Sequence, residues 1–185
     1  MIADEKRALR KQLETVRDGL VTPDAALQAA GRFPIERLPS IVVGTFPMRS
    51  ELDPRPLMKR LEALGATLAL PRTPKKGQPL VFHRWSSDTQ FATSRFGVTE
   101  PVPETPIVEP DLLLVPLLAF DATGARLGYG GGFYDVTLES LRRTRQIFAV
   151  GFAYAGQEVP SLPTEQHDQR LDAVLTEREW RLFTR

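Results

Sequence analysis

The sequence predicts an α/β fold in three layers, a mostly parallel sheet with helices on both faces, and three observations carry the prediction. Short runs rich in Val, Ile and Leu, "SIVVGTF" at 40–46, "TLALP" at 67–71 and "DLLLVP" at 111–116, read as buried strands. Between the first two lies a helical stretch opened by Asp53-Pro54, spaced by Leu57, Leu61 and Leu64, and closed at Gly65. Such a strand–helix–strand unit implies a right-handed crossover and parallel neighbours. The third observation is size: 185 residues, 42% hydrophobic and 25% charged, make a soluble core of one-domain dimensions.

The elements follow in order. Asp4 is placed to cap a first helix ending near Gly19, with Leu9, Leu13, Val16 and Leu20 as its apolar stripe. Lys6, Arg10 and Arg17 lie along a neighbouring face. Thr22-Pro23 marks a second helix start. After "TLALP" comes a polar loop, "RTPKKGQP", then a strand "LVFHRW" at 80–85. Residues 86–110, rich in Pro, Thr and Glu, read as ordered loop. "FYDVTLESLRR" reads as a helix, "IFAVGFA" at 147–153 as a strand, "DAVLT" at 172–176 as a short strand, and "EREWRLF" as a terminal helix. Without repeat or linker, residues 1–185 are expected to form a single, Rossmann-like domain.

Composition narrows the functions. Lys and Arg number 24 against 23 Asp and Glu, a net charge of +1, which argues against a broad nucleic-acid surface. The absence of cysteine excludes disulfides, thiolate metal sites and a cysteine nucleophile. There is no signal-peptide run and no membrane-length apolar stretch, so a cytoplasmic protein is expected.

The densest signal is "RLGYGGGFYD" at 126–135, with four glycines among the five positions 128–132. It follows a buried strand and leads into a helix, where α/β sheets bind ligands. Consecutive glycines present backbone N–H groups as a nest, and the helix start adds roughly half a positive charge, both suited to phosphate. A tight packing turn is the alternative. No Walker A run exists, and a dinucleotide fingerprint counted from Gly128 fails at Phe133. Asp135, in the first helical turn, has two readings: a favourable charge at a helix start, or a Mg²⁺ ligand beside phosphate, with Asp172 as a second carboxylate. Read from the residues alone, Lys6, Arg7 and Arg10 are a solvated helix face, and His83 and His167 are isolated polar residues.

Taken together, "RLGYGGGFYD" resembles the R-L-G-x-G-x-G-[FY]-Y-D signature of the 5-formyltetrahydrofolate cyclo-ligases, or methenyltetrahydrofolate synthetases. "KRALR" at 6–10, "MRSELD" at 48–53, "FGVTEP" at 96–101, "LLLVPLLAFD" at 112–121 and "LPTEQHDQRLDAVLTE" at 162–177 support it in family order. The resemblance implies an ATP- and Mg²⁺-dependent ligase of folate one-carbon metabolism, making 5,10-methenyltetrahydrofolate, ADP and phosphate from 5-formyltetrahydrofolate. It implies that the formyl oxygen is phosphorylated and that N10 then attacks the formyl carbon.

The resemblance also implies site residues. Lys6, Arg7 and Arg10, with Arg126, Leu127, Gly128, Tyr129, Gly130, Gly131, Gly132, Phe133 and Tyr134, would bind ATP. Arg10, Phe46, Met48, Glu51, Tyr129 and Phe133 would contact the folate. Asp135 and Asp172 would hold Mg²⁺, and Arg126 and Gly131 occupy the catalytic positions. At Gly131 many members carry lysine, and Phe46 replaces the aliphatic residue of some. The chain is expected to act as a monomer on small molecules, without nucleic acid or membrane. Two rivals stand beside this reading: a non-catalytic folate- or nucleotide-binding paralogue, and a sugar-phosphate or CoA enzyme on a similar fold.

Overall fold

The computed structural model describes residues 2–94 and 97–184, so Phe96 of "FGVTEP" lies outside the described residues. Helix α1 (Ile2–Asp18) and α2 (Ala25–Arg32) precede β1 (Ile41–Val43), α3 (Arg55–Ala63), β2 (Thr67–Arg72) and β3 (Val81–Trp85). Then come a hairpin of β4 (Phe91–Thr93) and β5 (Thr99–Pro101), strand β6 (Leu112–Val115), and a second hairpin of β7 (Ala119–Phe120) and β8 (Arg126–Leu127). Helix α4 (Phe133–Thr144), β9 (Phe148–Phe152), β10 (Ala173–Leu175) and β11 (Trp180–Leu182) complete the chain.

Seven strands form the main sheet in the order β11-β10-β9-β6-β1-β2-β3. The five inner strands are parallel, and both edge strands run antiparallel to their neighbours. The strand period of two sorts the core into layers. Val42, Leu112, Leu114 and Val150 face α2 and α3, against Ala29, Leu57 and Leu61. Val43, Leu113, Val115 and Ala149 face the other way, against Leu138 of α4. Leu57, Met58 and Leu61 are fully buried, and each such side chain stabilises by about 1.5–3 kcal/mol.

Several sequence expectations change. The segment 86–110 contains the β4–β5 hairpin, whose three-residue strands are too short to show a period. The β7–β8 hairpin, with strands of two residues, was equally invisible. It is organised by buried Asp121, whose Oδ1 accepts from Thr123 N (2.8 Å) and Thr123 Oγ1 (2.7 Å). The expected terminal helix is strand β11. Thr176 Oγ1 accepts from the N–H of Arg178 and Glu179 and turns the chain back. The Trp180 ring then packs edge-on to Phe33 at 5.4 Å and stacks on Phe148 at 6.2 Å.

Helix α1 departs from the sequence expectation most. It begins at Ile2, so Asp4 is inside the first turn and pairs with Arg7 rather than capping. Val16 of the expected stripe is exposed, whereas Lys6 and Arg17 are buried with Leu13. Cations are among the most expensive groups to bury unless paired. Their partners come from distant segments that meet at the candidate site.

Candidate active site

From β1 the chain moves through β2 to β3 on one side of the sheet, and β6 returns to the other flank of β1. Crevices at such switch points, beyond the carboxyl ends of the strands, are where α/β sheets take ligands. A cleft of about 530 Å³ opens there. Thr45 and Phe46 follow β1, Pro71 belongs to the end of β2 and Thr73 follows it, and Pro116 follows β6; all line it. The facing wall is the glycine loop, 128–132.

Two glycines in that loop have backbone conformations closed to most side chains. Gly130 has φ +91° and Gly132, the residue before α4, has φ +72°. A Cβ on Gly130 would lie 3.0 Å from Arg10 Cζ, so the arginine fits because the side chain is missing. Arg10 Nε donates to Gly128 O at 2.8 Å, tying the loop to α1. A Cβ on Gly131 would lie 2.9 Å from the Phe133 ring. A lysine there, as in many members of the resembling family, requires that ring to move. The start of α4 lies beside the same loop, where the helix dipole favours an anion.

Charged side chains frame the cleft. Arg126, its side chain 5% exposed, donates to Asp135 Oδ1 at 2.8 Å and to Gln169 O. Asp135 Oδ1 also accepts from Gln169 N at 2.9 Å. Lys6 Nζ lies 2.6 Å from Asp168 Oδ2 and 2.9 Å from Glu165 Oε2. Burial works against the Lys6 ammonium, but the two carboxylates prevail and hold its pKa above the usual lysine value. Glu165, His167 and Asp168 converge closely enough for a metal ion, yet Lys6 already serves two of them as the cation.

At the other side of the cleft, Glu51 has a side chain only 7% exposed, and burial pushes its carboxyl above the usual range. Its Oε2 accepts from Met48 N at 2.8 Å, and it takes a hydrogen bond from the Tyr129 hydroxyl. Burial and the nearby Glu51 charge push Tyr129 up to about 12, so the phenol stays protonated. Tyr134 is also pushed up by burial, and its hydroxyl has no partner among the described residues. Phe46 presents a ring braced edge-on by Trp85 (5.6 Å) and Phe91 (5.5 Å). The arrangement suits an anion at the glycine loop and a planar N–H-bearing group between Phe46 and Glu51.

Most of the residues singled out from sequence meet in this one cleft. Lys6, Arg10, Phe46, Met48, Glu51 and Asp135 line it, as does Arg126 through Tyr134 without interruption. Arg7 and Asp172 stand apart. Arg7 is 78% exposed, pairs with Asp4 and does not line the cleft. Asp172 Oδ2 accepts from Arg142 (2.9 Å) and from Ala149 N (2.8 Å), an arrangement that fastens β10 to β9 and α4. His83 is buried with Nδ1 against Thr105 O and plays no part here. Sequence reasoning missed Arg17, Glu165, Asp168 and the position of His167. The acidic spacing in "TEQHD" was the available signal for the last three; for Arg17 there was none.

Comparison with known proteins shows what the chain as a whole is similar to. Residues 2–177 match the model of the 5-formyltetrahydrofolate cyclo-ligase family. The chain is 37% identical over 135 residues to the 5-formyltetrahydrofolate cyclo-ligase of Haemophilus influenzae, covering 70% of this chain and 72% of that one. It is 37% identical over 131 residues to the Escherichia coli enzyme of the same name, covering 68% and 71%. Its fold superposes on the 5,10-methenyltetrahydrofolate synthetase of Aquifex aeolicus with a TM-score of 0.76 and 26% identity, over 97% of this chain and 93% of that one.

Proposed function

The chain belongs to the 5-formyltetrahydrofolate cyclo-ligase family, and we infer on that premise that it is an enzyme closing 5-formyltetrahydrofolate to 5,10-methenyltetrahydrofolate. ATP is the family's co-substrate. The observation that carries the assignment of roles is the facing of an anion-binding glycine loop and the Glu51–Phe46 wall across one cleft. A formyl oxygen is a poor leaving group until phosphorylated, so both substrates must meet there.

The γ-phosphate belongs at the N–H groups of residues 128–132 and the start of α4. Arg10 holds the loop's shape and offers its remaining guanidinium N–H groups. The pterin belongs between Phe46 and Glu51, whose carboxylate accepts from ring and amino N–H groups. Met48, Tyr129 and Phe133 close around it. The formyl oxygen then attacks the γ-phosphate, ADP leaves, N10 attacks the formyl carbon and phosphate departs. Catalysis of this kind is mostly positioning and charge stabilisation.

For magnesium, Asp135 lines the cleft and its Oδ1 is engaged by Arg126 and Gln169. Mg²⁺ usually takes one or two carboxylates together with phosphate oxygens and water, so this donor set fits an ion shared with nucleotide. Asp172, engaged outside the cleft, does not fit as a second ligand in this arrangement. A bound Mg²⁺ would neutralise charge on the phosphate oxygens. In place of the lysine of many relatives at Gly131, the chain offers Lys6, Arg10 and Arg126. Arg7 is outside that set.

This reading takes the protein as a cytoplasmic monomer of one domain acting on small molecules, with no nucleic-acid partner. No described helix is long and apolar enough to cross a membrane. The decisive experiment is spectroscopic: purified protein with MgATP and 5-formyltetrahydrofolate gives the absorbance of methenyltetrahydrofolate, and omitting ATP or Mg²⁺ abolishes it. A flat trace from folded protein would refute the reading.

A further inference from the structure

Among the described residues Arg17 is the largest fully buried side chain, 1% exposed, and no step of the reaction uses it. It does not line the cleft, but its side-chain hydrogen bonds reach segments that do. Nε donates to Ser50 Oγ at 3.0 Å, and Ser50 Oγ in turn donates to Asp18 Oδ1. NH1 donates to the Tyr129 hydroxyl at 2.6 Å and lies 3.8 Å from Glu51 Oε1. The guanidinium also sits 5.5 Å from the centre of the Tyr129 ring. NH2 has no partner among the described residues. A buried cation with an unpaired N–H is expensive, and a hydrophobic side chain of similar length would fill the space more cheaply.

The direction of the hydrogen bonds gives the arrangement its meaning. Tyr129 Oη accepts from Arg17, which commits its own proton to the Glu51 carboxylate. Ser50 precedes Glu51, so Arg17 grips the loop carrying the carboxylate and the loop carrying the glycines from one helix. Two turns earlier, on the same face of α1, Arg10 grips Gly128. We propose that Arg17 is a positioning residue for the reaction: through Tyr129 and Ser50 it holds the Glu51 carboxylate at a fixed place relative to the glycine loop. The proposal rests on the assignment of the pterin to Glu51.

The charge argument has a definite sign. Burial raises the Glu51 pKa, while Met48 N–H, Arg17 and the Tyr129 hydroxyl lower it. The groups facing it are therefore Arg17 from α1, Tyr129 from the glycine loop, Tyr134 from α4 and the Met48 N–H of its own loop. With Arg17 removed, burial is opposed by less, and Glu51 protonates at higher pH.

The test compares wild type, Arg17→Met and Tyr129→Phe. Tyr129→Phe keeps the ring and removes both hydrogen bonds. The first readout is kcat/KM for 5-formyltetrahydrofolate against pH at saturating MgATP, which reports ionisations of the free enzyme. The second is a ¹³C-carboxyl titration of Glu51 in ligand-free protein, which needs no turnover. Arg17→Met is expected to raise the KM for folate about tenfold, the loss of a charge-assisted contact, with a smaller change for ATP. Its acid limb and the Glu51 titration move up together, by about one pH unit. Tyr129→Phe, which breaks the link from Arg17 to Glu51, moves both in the same direction, and Arg17→Lys, which keeps a cation but cannot hold Ser50 and Tyr129 together, decides the matter through the folate KM if Arg17→Met does not fold. Unchanged folate KM and an unmoved Glu51 titration in a folded variant overturn the proposal, leaving Arg17 a stability residue only. If wild type itself fails to turn over, the functional assignment falls, and the ¹³C titration still decides whether Arg17 governs Glu51.

Discussion

Replacing Asp135 by alanine tests how the first turn of α4 is built. A carboxylate at a helix start is worth about 0.3–1 kcal/mol through the helix dipole, which on its own makes the substitution mild. Here Asp135 is also the partner of Arg126, whose side chain is 5% exposed, and the acceptor for Gln169 N. A hydrogen bond to a charged group contributes about 1.5–3 kcal/mol, and losing this one leaves Arg126 with Gln169 O as its remaining acceptor. Asp135 is itself a quarter exposed, so water recovers part of the loss. The expected destabilisation is about 2–4 kcal/mol, or roughly 10 °C in Tm for a chain of this size. Asp135→Asn keeps an oxygen acceptor for Arg126 and Gln169 but cannot ligate as a carboxylate. It should lose about 1 kcal/mol or less while losing Mg²⁺-dependent turnover. Urea unfolding and turnover per folded molecule separate the two effects. Wild-type stability in Asp135→Ala would refute the role given to the ion pair, and full Mg²⁺-dependent activity in Asp135→Asn would refute the role given to the carboxylate.

Glu51 has a raised pKa, so its ionised form opposes folding: the stability linked to its protonated form is present at low pH and is lost as pH rises through the raised value. Glu51→Gln should therefore be more stable than wild type at pH 8, with the gain shrinking on acidification, while folate binding weakens; calorimetry across pH and a binding titration check this. Gly130→Ala combines a positive φ with a Cβ 3.0 Å from Arg10 Cζ, so it should lose about 1–2 kcal/mol of stability and raise the KM for ATP, read by unfolding and by steady-state kinetics. Trp180→Ala removes the ring between Phe33 and Phe148 and should cost about 2–4 kcal/mol in urea unfolding, without changing the KM for either substrate.

The parallel core of the sheet and the place of the glycine loop are legible from the residues alone. Runs such as "DLLLVP" carry their own strand signal, because a strand buried on both faces is apolar at every position. "YGGGFYD" carries its turn in residues that take positive φ without strain and announces the helix that follows. What the sequence could not supply were contacts whose partners lie far along the chain. The "EREWRLF" segment has helical spacing, yet Trp180 finds Phe33 and Phe148, and that burial together with pairing to β10 makes it a strand. Hairpin β7–β8 exists because a buried Asp121 holds its turn, with strands too short to show a period. Helix α1 shows the limit most sharply. Periodicity placed Val16 inside and its cations in solvent, on the sound rule that charges stay wet unless paired. The pairs are Lys6 with Glu165 and Asp168, and Arg17 with Tyr129 and Ser50, across separations of 33 to 162 residues. Only the folded chain brings those partners within reach, and only then does burying a cation become favourable enough to build a site.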